Sequence, residues 1–206
     1  NYASKELLPH IDVLKRLKAK TNIYSILGNH DYGTYMQWES EKEMQDNFRH
    51  LLELQRHHLG WDVRMDEHRI LDRNGKKLAI IGVQYIGHSL KFGKFGDLKK
   101  AYKGAESADI QLLLSHDPSH WDHEVSQKEE YAGIHATFAG HTHGFQFGIE
   151  IPGIKWSPSK YVYPHWAGLY KTEEQHLYVN RGAGFLGYPG RLGISPEVTV
   201  FQLVKA

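Results

Sequence analysis

Apolar positions along the 206-residue chain change period several times, and each change marks an element. After Ser4, a suitable N-cap, Leu8, Ile11, Leu14 and Leu17 recur at helical spacing. That spacing predicts a helix from Ser4 to about Lys20, with Pro9 tolerable near its start. Asn22 to Leu27 is a short apolar run ending at Gly28 and reads as a buried strand. Met44, Phe48, Leu51, Leu52 and Leu54 form the stripe of the longest helix, expected from Glu39 to about His58. Asp66 to Asp72 and Lys77 to Val83 read as a strand pair joined at Arg73-Asn74-Gly75, because Asn-Gly suits a tight turn. Leu98 to Lys103 reads as a short helix. Ile110–Leu114, Ile134–Ala139, Leu177–Asn180 and Glu197–Leu203 complete the strands. Gly144 to Arg191 is rich in Gly, Pro and aromatics and reads as long loops over a rim. The pattern holds no repeat and no linker. It predicts one α/β domain over residues 1–206, with mixed sheets covered by helices.

Three of these strands run into polar clusters. Ile23–Leu27 leads to Gly28-Asn29-His30-Asp31, Ile110–Leu114 to Ser115-His116-Asp117-Pro118, and Ile134–Ala139 to Gly140-His141-Thr142-His143-Gly144. Loops at the carboxyl ends of neighbouring strands commonly converge on one site. In extended backbone, His141 and His143 would point to the same side and could face one metal or two adjacent ones. Alternatively they are polar loop residues. Asn29 offers a hard amide oxygen to a divalent cation, or is a turn residue beside Gly28. His30 is a candidate general acid, able to protonate a leaving oxygen. Asp31 is a candidate partner for that imidazole, or a cap on the following turn. His116 is a candidate ligand, or a satisfied core histidine. His50, His57, His58, His68 and His176 read as structural or solvated, and His165 stays open.

Composition narrows the chemistry. With 25 basic and 24 acidic residues the net charge is +1, so nothing favours a nucleic-acid partner. The absence of cysteine restricts any transition-metal site to imidazole, carboxylate or amide ligands. No apolar stretch approaches the roughly 18 residues that would cross a bilayer. The chain opens at Asn1 and not at Met, as expected of a trimmed product.

Gly28-Asn29-His30-Asp31, then His116 at a strand end, then Gly140-His141-Thr142-His143 resemble, in that order, the calcineurin-like metallophosphoesterases. The stretch Tyr178 to Gly184, followed by Arg191 and Pro196-Glu197-Val198-Thr199, resembles the bacterial branch of that family. In that branch the domain often follows a membrane anchor, and some members act on lipid-linked or nucleotide-sugar phosphates. The resemblance implies a metallophosphatase-like α/β/β/α sandwich of mixed sheets and hydrolysis of a phosphoester or pyrophosphate. It implies that Asn29, His116 and His141 hold one metal, that His143 belongs to a second, and that His30 is the proton donor beside Asp31. Mn, Fe or Zn suit such N/O ligands. Arg181 and Arg191 are candidates for phosphate contact, or members of structural ion pairs.

The family's first two motifs, an Asp-x-His and a Gly-Asp-x-x-Asp whose carboxylate bridges the metals, are not found before Gly28. The chain is therefore expected to be truncated at its N-terminus and to bind one metal or none. It would also expose sheet edges that favour self-association. The expected substrate is a phosphorylated small molecule or a lipid-linked phosphate. The expected location is cytoplasmic, or membrane-associated through an upstream segment. Two other readings stand beside this one. The chain could be an inactive, metal-poor binding domain or half of a complemented assembly. It could also be a structural protein with incidental histidines.

Overall fold

The computed structural model describes residues 3–87, 94–172 and 175–204. The chain divides into two compact units, one ending at His116 and the other beginning at Asp117.

In the first unit the expected N-terminal helix is shorter and broken. Ser4–His10 forms 3₁₀ turns, and only α1 (Ile11–Leu14) is α-helical. Ile11 is buried, but Leu8 and Leu17 of the apolar stripe are exposed, so no packing extends the helix to Lys20. Pro9 lies inside the 3₁₀ segment, where its missing N–H favours a break. Ser4 is not the N-cap. Its Oγ lies 2.9 Å from His50 Nδ1 instead.

The first strand also contracts, to β1 (Tyr24–Ser25). The long helix forms as expected: α2 (Glu41–Glu53) starts at Ser40, whose Oγ accepts from Glu43 N at 3.2 Å. It continues through a π-helical turn, Leu54–His58. Phe48 and Leu52 on its inner face pack against buried Leu27, Tyr32, Val63 and Tyr85. β2 (Asp62–Val63) pairs in parallel with β1.

β3 (Glu67–Arg73) and β4 (Lys76–Gly82) form the antiparallel pair the sequence predicts. Asn74 and Gly75 both have positive φ, 56° and 75°, as a type I′ turn requires. α3 (Leu98–Tyr102), capped by Asp97, then leads to β5 (Ile110–Leu114), which is parallel to β4.

The second unit carries β6 (Ala136–Ala139), the hairpin β7 (Ile149–Ile151) and β8 (Ile154–Trp156), β9 (Gly168–Thr172) and β10 (Gln175–Val179). β10 is parallel to β6 and antiparallel to β9. The expectation of long loops from Gly144 to Arg191 is therefore corrected, since β7, β8 and β9 lie in that region, while β10 answers to the strand expected at Leu177–Asn180. The strand expected at Glu197–Leu203 does not form a ladder. Its alternation is real: Phe201 packs on Phe138 and Tyr178, while Val198 and Val200 are 86% and 92% exposed. Glu197 N donates to Gly182 O at 2.9 Å, but no ladder is assigned to the segment among the described residues. The mixed α/β class holds, with parallel and antiparallel pairings in each unit.

Candidate functional site

In the first unit, Asn29–Tyr32 is one 3₁₀ turn closed by Gly33 at φ 74°. Asp31 Oδ2 accepts from Gly28 N at 2.7 Å, so this carboxylate ties the turn together. Burial raises the pKa of Asp31, and the bond from Gly28 opposes that shift. Asn29 is 3% exposed. Its Nδ2 donates to Tyr35 Oη at 2.5 Å, and its Oδ1 lies 3.1 Å from His116 Nε2. Asn29 and His116 are 87 residues apart in sequence, and the fold brings their donor atoms to one point. Gly28 makes room for this. A Cβ there would lie 2.6, 2.8 and 2.9 Å from three atoms of the His116 ring. Tyr35 also stacks on His30, with ring centroids 4.3 Å apart. The sequence reading gave Tyr35 no role. Its only signal was its place four residues after Asp31.

In the second unit, the loop after β6 is strongly turned. His141, His143, Phe145 and Gln146 have φ of 68°, 52°, 53° and 56°, a left-handed run that non-glycine residues adopt at a cost. The pair His141 and His143 is therefore not in extended backbone, which corrects the geometric argument from sequence. Side chains hold the turn. Thr142 Oγ1 donates to Trp166 O at 2.7 Å and accepts from Gly144 N at 3.3 Å. Ser157 Oγ donates to Gly144 O at 2.7 Å.

His141 Nε2 lies 2.8 Å from Tyr163 Oη and 3.4 Å from Asp117 Oδ2. Asp117 is 1% exposed, and its Oδ1 accepts from Ser119 N and Oγ at 2.9 and 2.7 Å. Burial pushes the pKa of His141 down, against the opposing pull of Asp117. Burial, then the charges of Arg191 and His141, push His143 down. Both imidazoles are thus held towards the neutral form that ligates metals. His143 Nδ1 is buried with no hydrogen-bond partner among the described residues. Asp117 and Tyr163 were missed as site residues, although Asp117 stood in the Ser-His-Asp-Pro cluster.

The two arginines are bonded within the second unit. Arg181 donates from Nε to Glu197 at 2.8 Å and from Nη1 to Glu150. Arg191 donates to the carbonyls of Gly184, Arg181 and His143. His165, left open by the sequence, lies 2.6 Å from Asp122 Oδ1.

Among the described residues no group of three or more His, Cys, Asp or Glu is gathered closely enough to hold a metal. The donor chemistry nonetheless fits a divalent cation. Asn29 Oδ1 and His116 Nε2 converge in one unit, and the other holds a buried imidazole nitrogen, His143 Nδ1, with no partner among the described residues.

The family pattern described as Calcineurin-like phosphoesterase matches residues 6–145, a span that includes Asn29, His30, His116, His141 and His143. The uncharacterized metallophosphoesterase YkuE of Bacillus subtilis is 28% identical over 195 residues, covering 94% of this chain and 60% of YkuE. The transmembrane protein with metallophosphoesterase domain of Bos taurus is 26% identical, over 94% of this chain and 41% of its own length. The phosphodiesterase YaeI of Escherichia coli is 37% identical over 97 residues, 46% of this chain and 32% of YaeI. The chain thus spans 60% or less of these relatives. Among solved structures, Haemophilus influenzae NAD nucleotidase gives a TM-score of 0.47 at 19% identity, over 77% of this chain and 30% of that one. Because the family pattern covers well over half of its length, the chain belongs to the calcineurin-like phosphoesterase family.

Proposed function

We propose that the protein hydrolyses a phosphoester or pyrophosphate bond with the help of divalent metal, Mn, Fe or Zn. The observation that carries this reading is the approach of Asn29 Oδ1 and His116 Nε2 to 3.1 Å inside a family-matched span. Asn29 and His116 in the first unit, and His141 and His143 in the second, are the proposed metal ligands. A bound divalent cation supplies Lewis-acid polarisation of phosphoryl oxygens. Tyr35 fixes the Asn29 amide through Nδ2, leaving Oδ1 as the donor. Asp31 holds the turn that presents both Asn29 and His30. His30, seated on the Tyr35 ring, is the proposed proton donor to the leaving oxygen. The substrate is a phosphorylated small molecule or a lipid-linked phosphate. The phosphodiesterase among the relatives makes a diester the first probe to try.

The test is hydrolysis of bis-p-nitrophenyl phosphate by the purified chain, with and without added Mn²⁺. Turnover that needs Mn²⁺ and is lost in His116→Ala supports the reading. Cation-independent turnover, or turnover that survives both His116→Ala and His141→Ala, overturns it. Mn²⁺ binding by calorimetry gives a second readout. An unmodified chain that takes up no Mn²⁺ contradicts the ligand assignment directly.

A further inference from the structure

His141 and His143 are steered by different means. The His141 ring meets Tyr163 Oη and Asp117 Oδ2 through Nε2. His143 Nδ1 has no hydrogen-bond partner among the described residues. An imidazole that ligates metal ordinarily has its other nitrogen held by such a partner. Where none does so, the backbone beneath the ring has to fix its place. That backbone is the left-handed turn of His143, Gly144, Phe145 and Gln146, at φ of 52°, 57°, 53° and 56°. Only Gly144 adopts this region without a Cβ penalty. The other three persist there because their surroundings over-determine them.

Those surroundings are the segment 184–192. Gln146 is 1% exposed. Its Nε2 donates to Tyr188 O at 3.0 Å and to Gly190 O at 2.5 Å, and its Oε1 accepts from Leu186 N. Its own carbonyl accepts from Tyr188 Oη at 2.7 Å and from Leu192 N at 2.8 Å. Residues 181–190 form no strand, so this one buried side chain supplies partners that a sheet neighbour would otherwise give. Arg191 ties the same segment to the turn. It donates to Gly184 O and Arg181 O at 2.7 Å each, and to His143 O at 3.3 Å. Moving the turn away from the segment would leave buried carbonyls and an N–H unpaired, which is costly. We propose that Gln146 is a positioning residue for His143: it couples the segment 184–192 to the turn and so sets where the imidazole stands. The bearing of this on catalysis rests on the proposed role of His143 as a metal ligand; the positioning itself does not.

The experiment compares Gln146→Met with the unmodified 206-residue chain. Methionine keeps the volume and removes the amide's donors and acceptor. Without metal, nitrogen NMR of the histidine side chains reads the imidazoles, the His143 signals being those missing in His143→Ala. Gln146→Met should shift or broaden the His143 signals and leave those of His165, in the same unit, in place. With Mn²⁺, calorimetry should show affinity weakened about tenfold, the low end for groups that support a metal ligand. In a His143→Ala background, Gln146→Met should weaken it no further. Val125→Ala is the control for a merely structural effect. It opens a cavity in the π-helical turn Trp121–Val125, and should lower the melting temperature without moving the His143 signals. Arg191→Lys, which keeps the charge but not the fork, serves if methionine unfolds the chain, and should move the same signals. Unmoved His143 signals overturn the proposal, as does a further loss of Mn²⁺ affinity in the His143→Ala background. A chain that takes up no Mn²⁺ would overturn the ligand assignment of His143 instead, and the signals read without metal would still decide the positioning.

Discussion

At the scale of single residues, the candidate site depends on close approaches that tolerate no added atoms. Gly28→Ala places a methyl inside 3.0 Å of the His116 ring, whose Nε2 lies 3.1 Å from Oδ1 of the buried Asn29. The expected outcome is a loss of about 1–3 kcal/mol in urea denaturation, the usual cost of overpacking, with weaker Mn²⁺ binding in the same sample. An unchanged denaturation midpoint would show that the ring has room to move. Tyr35→Phe is the subtler variant. It keeps the stack on His30 but removes the hydroxyl that accepts from Asn29 Nδ2. Calorimetry should show weaker Mn²⁺ binding while the fold is retained, because the amide loses its fixed orientation. The approach of Asn29 to His116 was legible in the sequence because both follow apolar strand patterns. Tyr163 was not. Its contact with His141 bridges 22 residues, and no local pattern records such a distance. The His141-x-His143 spacing was legible but its backbone was not, since the left-handed φ values depend on Trp166 and Ser157 holding the turn from afar.

At the scale of elements, local signals served well where they were self-contained. α2 carries its own N-cap and stripe, and Ser40→Ala should cost about 1 kcal/mol of stability in chemical denaturation. The β3–β4 turn likewise needs only Asn74 and Gly75. Legibility failed where an element depends on a neighbour. The Ser4–Lys20 stripe finds little to pack against beyond Ile11, and the Glu197–Leu203 pattern finds no ladder. What fastens that last segment is Glu197. Burial would raise its pKa, but bonds from Tyr178, Arg181 and Thr199 outweigh burial and hold it down to about 2. A carboxylate with a depressed folded pKa contributes stability above its ordinary value of 4.5, and loses it as pH falls from there towards 2. Glu197→Gln should therefore be less stable than the unmodified chain at pH 7, with the gap narrowing below pH 4.5. Melting curves across that interval check it, and a constant gap would mean that the stabilisation comes from shape and not from charge.

At the scale of the whole molecule, the question is whether the donors in each unit bind a cation strongly enough to matter. Linkage gives a direct answer. A ligand that binds only the folded chain stabilises it by about 2.7 kcal/mol when present at a hundred times its Kd. For a chain of this size, each kcal/mol moves the melting temperature by roughly 2–4 °C. Mn²⁺ at saturating concentration should therefore raise the melting temperature by about 5–10 °C, and a chelator should reverse it. The two units allow the gain to be apportioned. His116→Ala removes a donor from the first unit and His143→Ala removes one from the second. Hydrogen exchange read unit by unit shows where the protection lies. Protection confined to residues before His116, lost in His116→Ala and kept in His143→Ala, would mean that Asn29 and His116 suffice to hold a cation. Protection in both units, reduced by either variant, would mean that the imidazoles after β6 bind as well. No shift in melting temperature would mean that neither donor set holds Mn²⁺ usefully in this chain. Any turnover would then require ligands beyond Asn29, His116, His141 and His143.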